Sequence, residues 1–198
     1  MERDELDELH YITPIDNLPS ISRLGILSHK RAGRIEHKSV AKEAIQQLRA
    51  GKRVPGGLLL HEYVNLYICA RNPMLFKRKN CHRDLCVLQI STDVLDLPGV
   101  VITDGNAAAK SAYTRFYPAP GGLSNLDKKS IFARYWTDPN QAVQYRRASM
   151  KCAEVLVPNR VDPGMIIGAY VSCAETLKKF DAMQMGMTAR VNGDLFFQ

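Results

Sequence analysis

The chain has 198 residues, 45% of them hydrophobic, and carries a formal net charge of +7 with a sequence pI near 9.2. This length and apolar content suffice for one sizeable core, so we expect a single domain over residues 1–198. The positive charge favours a polyanionic partner such as nucleic acid. No apolar run approaches the ~20 residues of a membrane span, and the acidic start is unlike a signal peptide. We therefore expect a cytoplasmic protein without a membrane segment, and a monomer.

Cysteine usage points to a reducing compartment. The chain has five cysteines, an odd number, without the spacing of a disulfide framework. Cys81, His82 and Cys86 lie close together in sequence, but no CxxC pair or second histidine cluster accompanies them. We expect free thiols and no metal site.

The first third of the chain predicts a strand followed directly by a capped helix. Residues 9–13 form the strand, and residues 16–25 the helix, with Asp16 or Asn17 as its cap and Gly25 at its end. Such a junction is a ready anion site, although an ordinary strand–helix connection has the same pattern. A cationic mobile loop is expected over residues 29–37 and a second helix over 39–50, where Arg49 suits the helix dipole.

The middle of the chain holds the longest strand signal, residues 58–69, which ends before Asn72-Pro73. The following loop brings Arg71, Met74 and Phe76 together. Such a loop suits stacking against a nucleobase, and it equally suits packing onto the core.

The remaining segments mix strands and helices without strict alternation, which favours an α+β fold with mainly antiparallel sheets. Strands are predicted at residues 85–91, 99–103, 165–172 and 190–197, and helices at 104–113, 126–135, 139–147 and 174–185. Residues 113–150 are rich in arginine and aromatic residues and suit a substrate-selecting loop.

Glu154 interrupts an apolar strand. Alternation places Ala153, Val155 and Val157 on one face and Glu154 with Leu156 on the other. A carboxylate in such a strand needs a partner, which a salt bridge to a nearby cation would supply. The alternative is a catalytic carboxylate held on a rigid strand beside a cleft.

Three motifs together resemble the DarT family, the DNA ADP-ribosyltransferase toxins of DarT–DarG toxin–antitoxin pairs. The resemblance spans about residues 9–172, and the motifs are Leu9-His10-Tyr11-Ile12-Thr13-Pro14-Ile15-Asp16-Asn17-Leu18, residues 60–75 and Ala153-Glu154-Val155-Leu156-Val157. It implies an ADP-ribosyltransferase fold, two sheets facing an NAD cleft with peripheral helices. It also implies transfer of ADP-ribose from NAD to a base in single-stranded DNA, with a macrodomain antitoxin of the DarG type as partner.

The resemblance also implies roles for individual residues. The catalytic pair would be Glu154 and Arg49, an NAD-covering element would span about residues 31–49, and a substrate-recognition loop about residues 113–154. NAD contacts would come from Tyr11, Ile12, Thr13, Ser20, Ser28 and Arg49. We add five residues as expected DNA contacts: Arg71, Met74, Arg146, Arg147 and Lys151.

Where many family members have histidines, this chain has Tyr11 and Pro14. The modified base, thymine or guanine, therefore stays open. Two other functions also remain: a related transferase acting on RNA or protein, and a catalytically silent nucleic-acid-binding module. Arginine stays protonated in almost all environments, which argues against Arg49 as a general base.

Overall fold

A computed structural model describes residues 1–39, 43–109 and 114–198, with the backbone alone described at residues 43–45. In these ranges the strands are β1 (Leu9–Pro14), β2 (Ile26–Leu27), β3 (Tyr63–Tyr67), β4 (Leu85–Ile90), β5 (Val101–Thr103), β6 (Phe116–Pro118), β7 (Glu154–Pro158), β8 (Arg160–Val161), β9 (Ile166–Val171) and β10 (Ala189–Val191). The α-helices are α1 (Leu18–Leu24), α2 (His29–Ala32), α3 (Glu43–Ala50), α4 (Pro73–Phe76), α5 (Lys128–Phe132), α6 (Gln141–Met150) and α7 (Ala174–Asp181). None of the described helices is long and apolar enough to cross a membrane.

Eight strands form one sheet in the order β10-β9-β4-β1-β3-β7-β5-β6, and β2 pairs with β8 in a separate ribbon. All the neighbouring strands run antiparallel except β9 and β10, which are parallel. The predicted α+β fold with mainly antiparallel pairing is therefore confirmed.

The large sheet consists of two halves that meet at a narrow joint. Strand β1 pairs with β4 along its whole length, and β3 pairs with β7 along its whole length. Between β1 and β3 the register contains a single residue pair, His10 and Tyr67. Beyond that pair the two strands are free to diverge, which opens a cleft between the halves.

Strand β7 shows the alternation that the sequence predicted. Ala153, Val155 and Val157 belong to the main hydrophobic core, whereas Leu156 packs in a smaller cluster on the other side. Glu154 shares that second side and is 1% exposed. Each fully buried Val or Leu contributes about 1.5–3 kcal/mol, so the apolar residues fix the strand that carries this carboxylate.

Several predicted elements differ from the structure. Residues 104–109 form turns and no helix, because the side chain of Asn106 accepts a hydrogen bond from the Ala108 N–H and the Ala107 N–H bonds to Glu154. The rest of that predicted helix, residues 110–113, lies outside the described residues. The predicted mobile loop at 29–37 contains the helical turn of α2, in which two backbone N–H groups donate to the Ser28 carbonyl.

Other element boundaries also shift. The strand predicted at 190–197 ends at Val191 and continues as a 3-10 turn, Asp194–Phe196. The strand predicted at 58–69 begins only at Tyr63, after the 3-10 turn Leu60–Glu62. The helix predicted at 39–50 is present from Glu43, while residues 40–42 lie outside the described part. Asn17 occupies the N-cap position of α1 but makes no side-chain capping bond.

Candidate active site

A cavity of about 390 Å³ opens where the two halves of the sheet diverge. This volume falls within the range of small-molecule sites. Strand β1 lines it with Tyr11, Ile12 and Thr13, and β3 lines it from the opposite side with Tyr63 to Asn65 and Tyr67. Helices α2, α3, α4 and α6 supply the remaining walls, including His29, Arg49, Met74, Lys77, Tyr145 and Ser149.

A buried ion pair joins Arg49 in the cavity wall to Glu154, which does not itself line the cavity. Arg49 donates from Nη1 to Oε1 of Glu154 at 3.3 Å and from Nη2 to Oε2 at 3.1 Å. The side chain of Arg49 is 8% exposed and that of Glu154 is 1% exposed. Arg49 lines the cavity directly, and the pair connects the carboxylate to it. A two-point contact between a guanidinium and a carboxylate fixes both groups in orientation as well as in position.

The neighbouring backbone holds Glu154 from further directions. The Ala107 N–H donates to Oε1 at 3.3 Å, and the Glu154 N–H donates to the Thr103 hydroxyl oxygen at 3.1 Å. Thr103 in turn donates to the Gly105 carbonyl at 2.7 Å. These hydrogen bonds hold the carboxylate in a fixed polar environment. Fixed orientation of this kind is what a group needs in order to act on a reacting centre.

The charge of Glu154 changes the ionisation of its surroundings. Burial opposes the charge on Arg49, but the attraction of Glu154 and the hydrogen bonds to it outweigh this, so the pKa of Arg49 lies above its ordinary value. Burial and then the same carboxylate raise the pKa of Tyr67, and they raise the pKa of Cys152 to about 12. At neutral pH the site thus holds a protonated arginine beside a neutral phenol and a neutral thiol.

Of the expected NAD contacts, Tyr11, Ile12, Thr13 and Arg49 line the cavity, while Ser20 and Ser28 do not. The Ser20 hydroxyl donates to the Asn17 carbonyl at 2.9 Å. The Ser28 hydroxyl is buried and has no hydrogen-bond partner among the described residues. A buried hydroxyl without a hydrogen bond costs free energy, so a polar ligand group that reached Ser28 would supply the missing bond and recover that free energy.

The family model described as "ssDNA thymidine ADP-ribosyltransferase, DarT" matches residues 10–197. The chain belongs to the DarT family. A DNA ADP-ribosyl transferase from Thermus sp. is 31% identical over 151 residues, which cover 71% of each chain. A fusion of DNA ADP-ribosyl transferase and DNA ADP-ribosyl glycohydrolase from Thermosipho africanus is 36% identical over 184 residues. That match covers 87% of this chain and 45% of the fusion protein, so the chain spans less than half of that relative's length.

Solved structures of the DarT family have the same fold. Thermus sp. 2.9 DarT in complex with ADP-ribosylated ssDNA matches with a TM-score of 0.83 at 26% identity, covering 96% of both chains. Thermus sp. 2.9 DarT in complex with NAD+ matches with a TM-score of 0.77 at 25% identity, covering 96% of this chain and 98% of the other. These matches confirm the ADP-ribosyltransferase fold that the sequence motifs implied.

The five expected DNA contacts of this DarT family member fall into different environments. Met74 lines the cavity, and Arg146 is exposed on α6. Arg147 is exposed but pairs with Asp138 at 2.8 Å. Arg71 is largely occupied, because it donates to the carbonyls of Asp194 and Arg134 at 3.1 and 2.9 Å.

Lys151 contradicts our expectation of a DNA contact. Its side chain is buried, and Nζ donates to the Ile131 carbonyl at 2.9 Å and to the Cys69 sulfur at 3.2 Å. A phosphate cannot reach an ammonium that is enclosed in this way. Lys151, at the end of α6, instead links α5 to Cys69 in the segment that follows β3, and we remove it from the set of DNA contacts.

The structure also adds residues to the site that the sequence did not single out. Lys38 and Asn17 line the cavity and are joined by two hydrogen bonds, from Lys38 N to Asn17 Oδ1 at 2.9 Å and from Asn17 Nδ2 to the Lys38 carbonyl at 2.7 Å. These bonds fasten the expected NAD-covering segment to the start of α1. Tyr145 and Lys77 also line the cavity. The signal in the sequence that could have identified these two residues is their position in short basic segments, Tyr145-Arg146-Arg147 and Lys77-Arg78-Lys79.

Among the described residues, no group of three or more His, Cys, Asp or Glu could hold a metal ion.

Proposed function

We propose that this chain transfers ADP-ribose from NAD to a thymidine base in single-stranded DNA and releases nicotinamide. The observation that carries the proposal is the buried Arg49–Glu154 pair, whose arginine lines a cavity bordered by β1. The family description names a thymidine transferase, and the Thermus relatives were solved with NAD+ and with ADP-ribosylated ssDNA.

The residues present suit NAD as co-substrate. The cavity is mostly lined by β1, β3 and the helices, and it offers hydroxyl, amide and cationic groups from Thr13, Asn17 and Lys38 to a polar dinucleotide. Few precisely placed polar groups in an otherwise apolar cleft are typical of cofactor-sized sites. Lys38 Nζ also pairs with Asp16 at 2.5 Å, and this ion pair holds the ammonium near the start of α1.

Breakage of the bond between nicotinamide and ribose creates positive charge on the ribose. A carboxylate held near that carbon stabilises the transition state more than the ground state. Glu154 is the carboxylate that the site can supply, because its partner Arg49 forms part of the cavity wall. We infer that NAD binding shifts this pair so that Glu154 contacts the ribose, as carboxylates do in glycoside chemistry.

Arg49 acts as a cation and not as a base. Its raised pKa keeps the guanidinium protonated, so it can pair with Glu154 and attract the diphosphate of NAD. A base nitrogen that attacks the ribose must lose its proton, and nicotinamide leaves with the electrons of the glycosidic bond. Within the pair, only the carboxylate of Glu154 can accept that proton.

Thymidine is favoured over guanosine by the family description alone. Thymine's ring nitrogen is a poor nucleophile, so positioning of the base against the ribose has to supply much of the rate. Tyr145 and Met74 lie at the cavity's edge and offer an aromatic and an apolar surface for an unstacked base.

The fused transferase and glycohydrolase of Thermosipho africanus supports a further part of the proposal. A DNA ADP-ribosyl glycohydrolase hydrolyses ADP-ribose from DNA and so removes the modification that the proposed reaction makes. We propose that this chain is a toxin whose partner is a DarG-type antitoxin with that hydrolase activity.

Incubation with NAD labelled in the adenylate and with single-stranded oligonucleotides tests the proposal. The expected result is label on oligonucleotides that contain thymidine, one nicotinamide per label, and no label with Glu154→Gln. Mass spectrometry of the digested product then identifies the modified base. Label on guanine would overturn the choice of base, and label only on RNA or protein would support the related transferase. Undetectable NAD turnover with either polymer would support a silent nucleic-acid-binding module.

A further inference from the structure

Three aromatic rings form a cluster on the outer side of α4, which we call the Phe76 cluster: Phe76, Trp136 and Phe197. The ring centroids of Phe76 lie 5.7 Å from Trp136 and 5.1 Å from Phe197, and Trp136 lies 6.1 Å from Phe197. All three pairs are edge-to-face, a favourable arrangement for aromatic rings. Phe76 nevertheless keeps 40% of its surface exposed.

The Phe76 cluster adjoins the cavity through one short helix. Met74 and Lys77 line the cavity, and Phe76 lies between them in sequence. These residues fall within a single helical turn and the position after it, so the width of one helix separates the outer cluster from the cavity wall. A single-stranded nucleic acid leaving the cavity over α4 therefore meets the rings of the cluster first.

Trp136 gives the cluster a second link to the site. It belongs to residues 113–154, the segment that the family resemblance assigns to substrate recognition. Arg71 joins that segment to α4, since it donates to the Arg134 carbonyl at 2.9 Å and lies 4.2 Å from the centre of the Phe197 ring. The cluster thus forms the junction between the cavity wall and the recognition segment.

The charges around the cluster match a nucleic acid. Lys79 is exposed and its ammonium lies 4.7 Å from the centre of the Phe76 ring. Lys77 is exposed at the cavity side of the same helix. Lys79 is a flexible surface side chain over the ring, so a base that stacks on Phe76 would take the place of its ammonium, which can then pair with a phosphate of the same strand.

We propose that the Phe76 cluster is a second nucleobase subsite, where a base that neighbours the reactive thymidine stacks on Phe76. The inference rests on the proposed function. It assigns single-stranded DNA to the cluster because α4 also borders the cavity and because the lysines complement the charge of the strand. The subsite reads no hydrogen-bond pattern, so it accepts any of the bases.

Equilibrium binding without NAD tests the subsite independently of catalysis. The probe is a fluorescent single-stranded oligonucleotide with one thymidine, compared with the same strand in which the neighbouring nucleotides are abasic. The wild-type chain is expected to bind the intact strand more tightly, and Phe76→Leu is expected to lose that advantage. Loss of one aromatic stack corresponds to binding about 5- to 150-fold weaker.

Two further variants, Phe76→Tyr and Ile167→Ala, test whether a lost preference comes from the aromatic ring or from a general loss of exposed apolar surface. Phe76→Tyr keeps the ring and should retain the preference for intact neighbours, whereas Phe76→Leu keeps apolar packing and removes the ring. Ile167→Ala removes an apolar side chain that is 55% exposed outside the cluster and should leave binding unchanged. Circular dichroism confirms that each variant is folded.

Equal affinity of the wild-type chain for intact and abasic strands overturns the subsite, as does an unchanged preference in Phe76→Leu. A different result would contradict the proposed function: the wild-type chain would transfer no label from NAD to DNA, whatever the binding measurements show.

Discussion

The imidazole of His10 and the backbone carbonyl of Tyr67 are hydrogen-bonded at the one residue pair that joins β1 to β3, with Nδ1 3.3 Å from the carbonyl oxygen. Nε2 of the same ring lies 3.1 Å from a carboxylate oxygen of Glu8. Tyr67 is also the register partner of Glu154. The side chain of His10 therefore ties β1, which lines the cavity, to β3, the strand that pairs with β7 at Glu154.

Replacing His10 should loosen this joint. For His10→Ala we expect a higher KM for NAD and a free energy of unfolding lower by about 1–3 kcal/mol, the net contribution of two hydrogen bonds. His10→Asn can still donate to the Tyr67 carbonyl and should retain more activity. The measurements are steady-state NAD turnover and urea denaturation. An unchanged KM in both variants would show that the joint does not position β1.

Glu154→Gln should abolish transfer and also destabilise the fold. Loss of the negative charge removes transition-state stabilisation, commonly a factor of about 100 or more in rate. It also leaves the buried Arg49 without its counter-charge, which costs about 3–5 kcal/mol. Label transfer and chemical denaturation give the two quantities.

A double variant separates those two effects. Arg49→Leu combined with Glu154→Gln removes the unpaired charge, so its free energy of unfolding should exceed that of Glu154→Gln alone. Activity should remain absent. Transfer by the double variant would remove both residues from the mechanism.

Arg49→Lys tests whether Arg49 works as a cation or as a base. Lysine keeps the positive charge but cannot make the two-point contact with Glu154, so we expect transfer to fall while the dependence of rate on alkaline pH stays the same. A general base at position 49 would give the lysine variant a new ionisation in its rate profile. Initial rates from neutral to alkaline pH distinguish the two.

The stability of the fold around α2 should depend on pH through two histidines whose rings are in contact. His29 and His61 have ring centroids 4.2 Å apart, and burial, followed by neighbouring positive charge, lowers the pKa of each below the ordinary value of 6.5. The unfolded chain binds protons more readily than the folded one between the lowered pKa and 6.5, so stability rises with pH across that window and is level above it.

Replacement of both histidines by glutamine should flatten that dependence. Denaturation curves measured at mildly acidic and at neutral pH provide the comparison, with His82→Gln as a histidine control outside the pair. A wild-type chain equally stable at both pH values would contradict the assignment.

Arg146 and Lys151 should differ in DNA binding. Arg146 is exposed, and its replacement by alanine should lower the slope of log affinity against log salt by about 0.7 if it holds one phosphate of a single strand. Lys151→Met should leave that slope unchanged and lower the stability, because the buried Nζ bonds to Ile131 and Cys69. A smaller slope in Lys151→Met would return Lys151 to the DNA contacts.

The local sequence was sufficient to predict the structure wherever the residues next to a position determine its conformation. Gly25 ends α1 with a positive φ of 76°, as the sequence predicted, because only glycine adopts that backbone angle without a clash. The alternation around Glu154 predicted which β7 residues enter the core. In contrast, the predicted helix at residues 104–109 failed because a distant partner, the Glu154 carboxylate, takes up the N–H of Ala107.

The sequence by itself determined the α+β fold and the strand that carries Glu154, and the family motifs led us to expect Arg49 as its companion. Only the tertiary structure decided that these two side chains, 105 positions apart, bond to each other, that Lys151 is enclosed, and that the sheet divides at His10 and Tyr67. The reason is that periodicity records which face of an element is apolar. It does not record which distant element covers that face, since register and packing between remote segments depend on the whole chain.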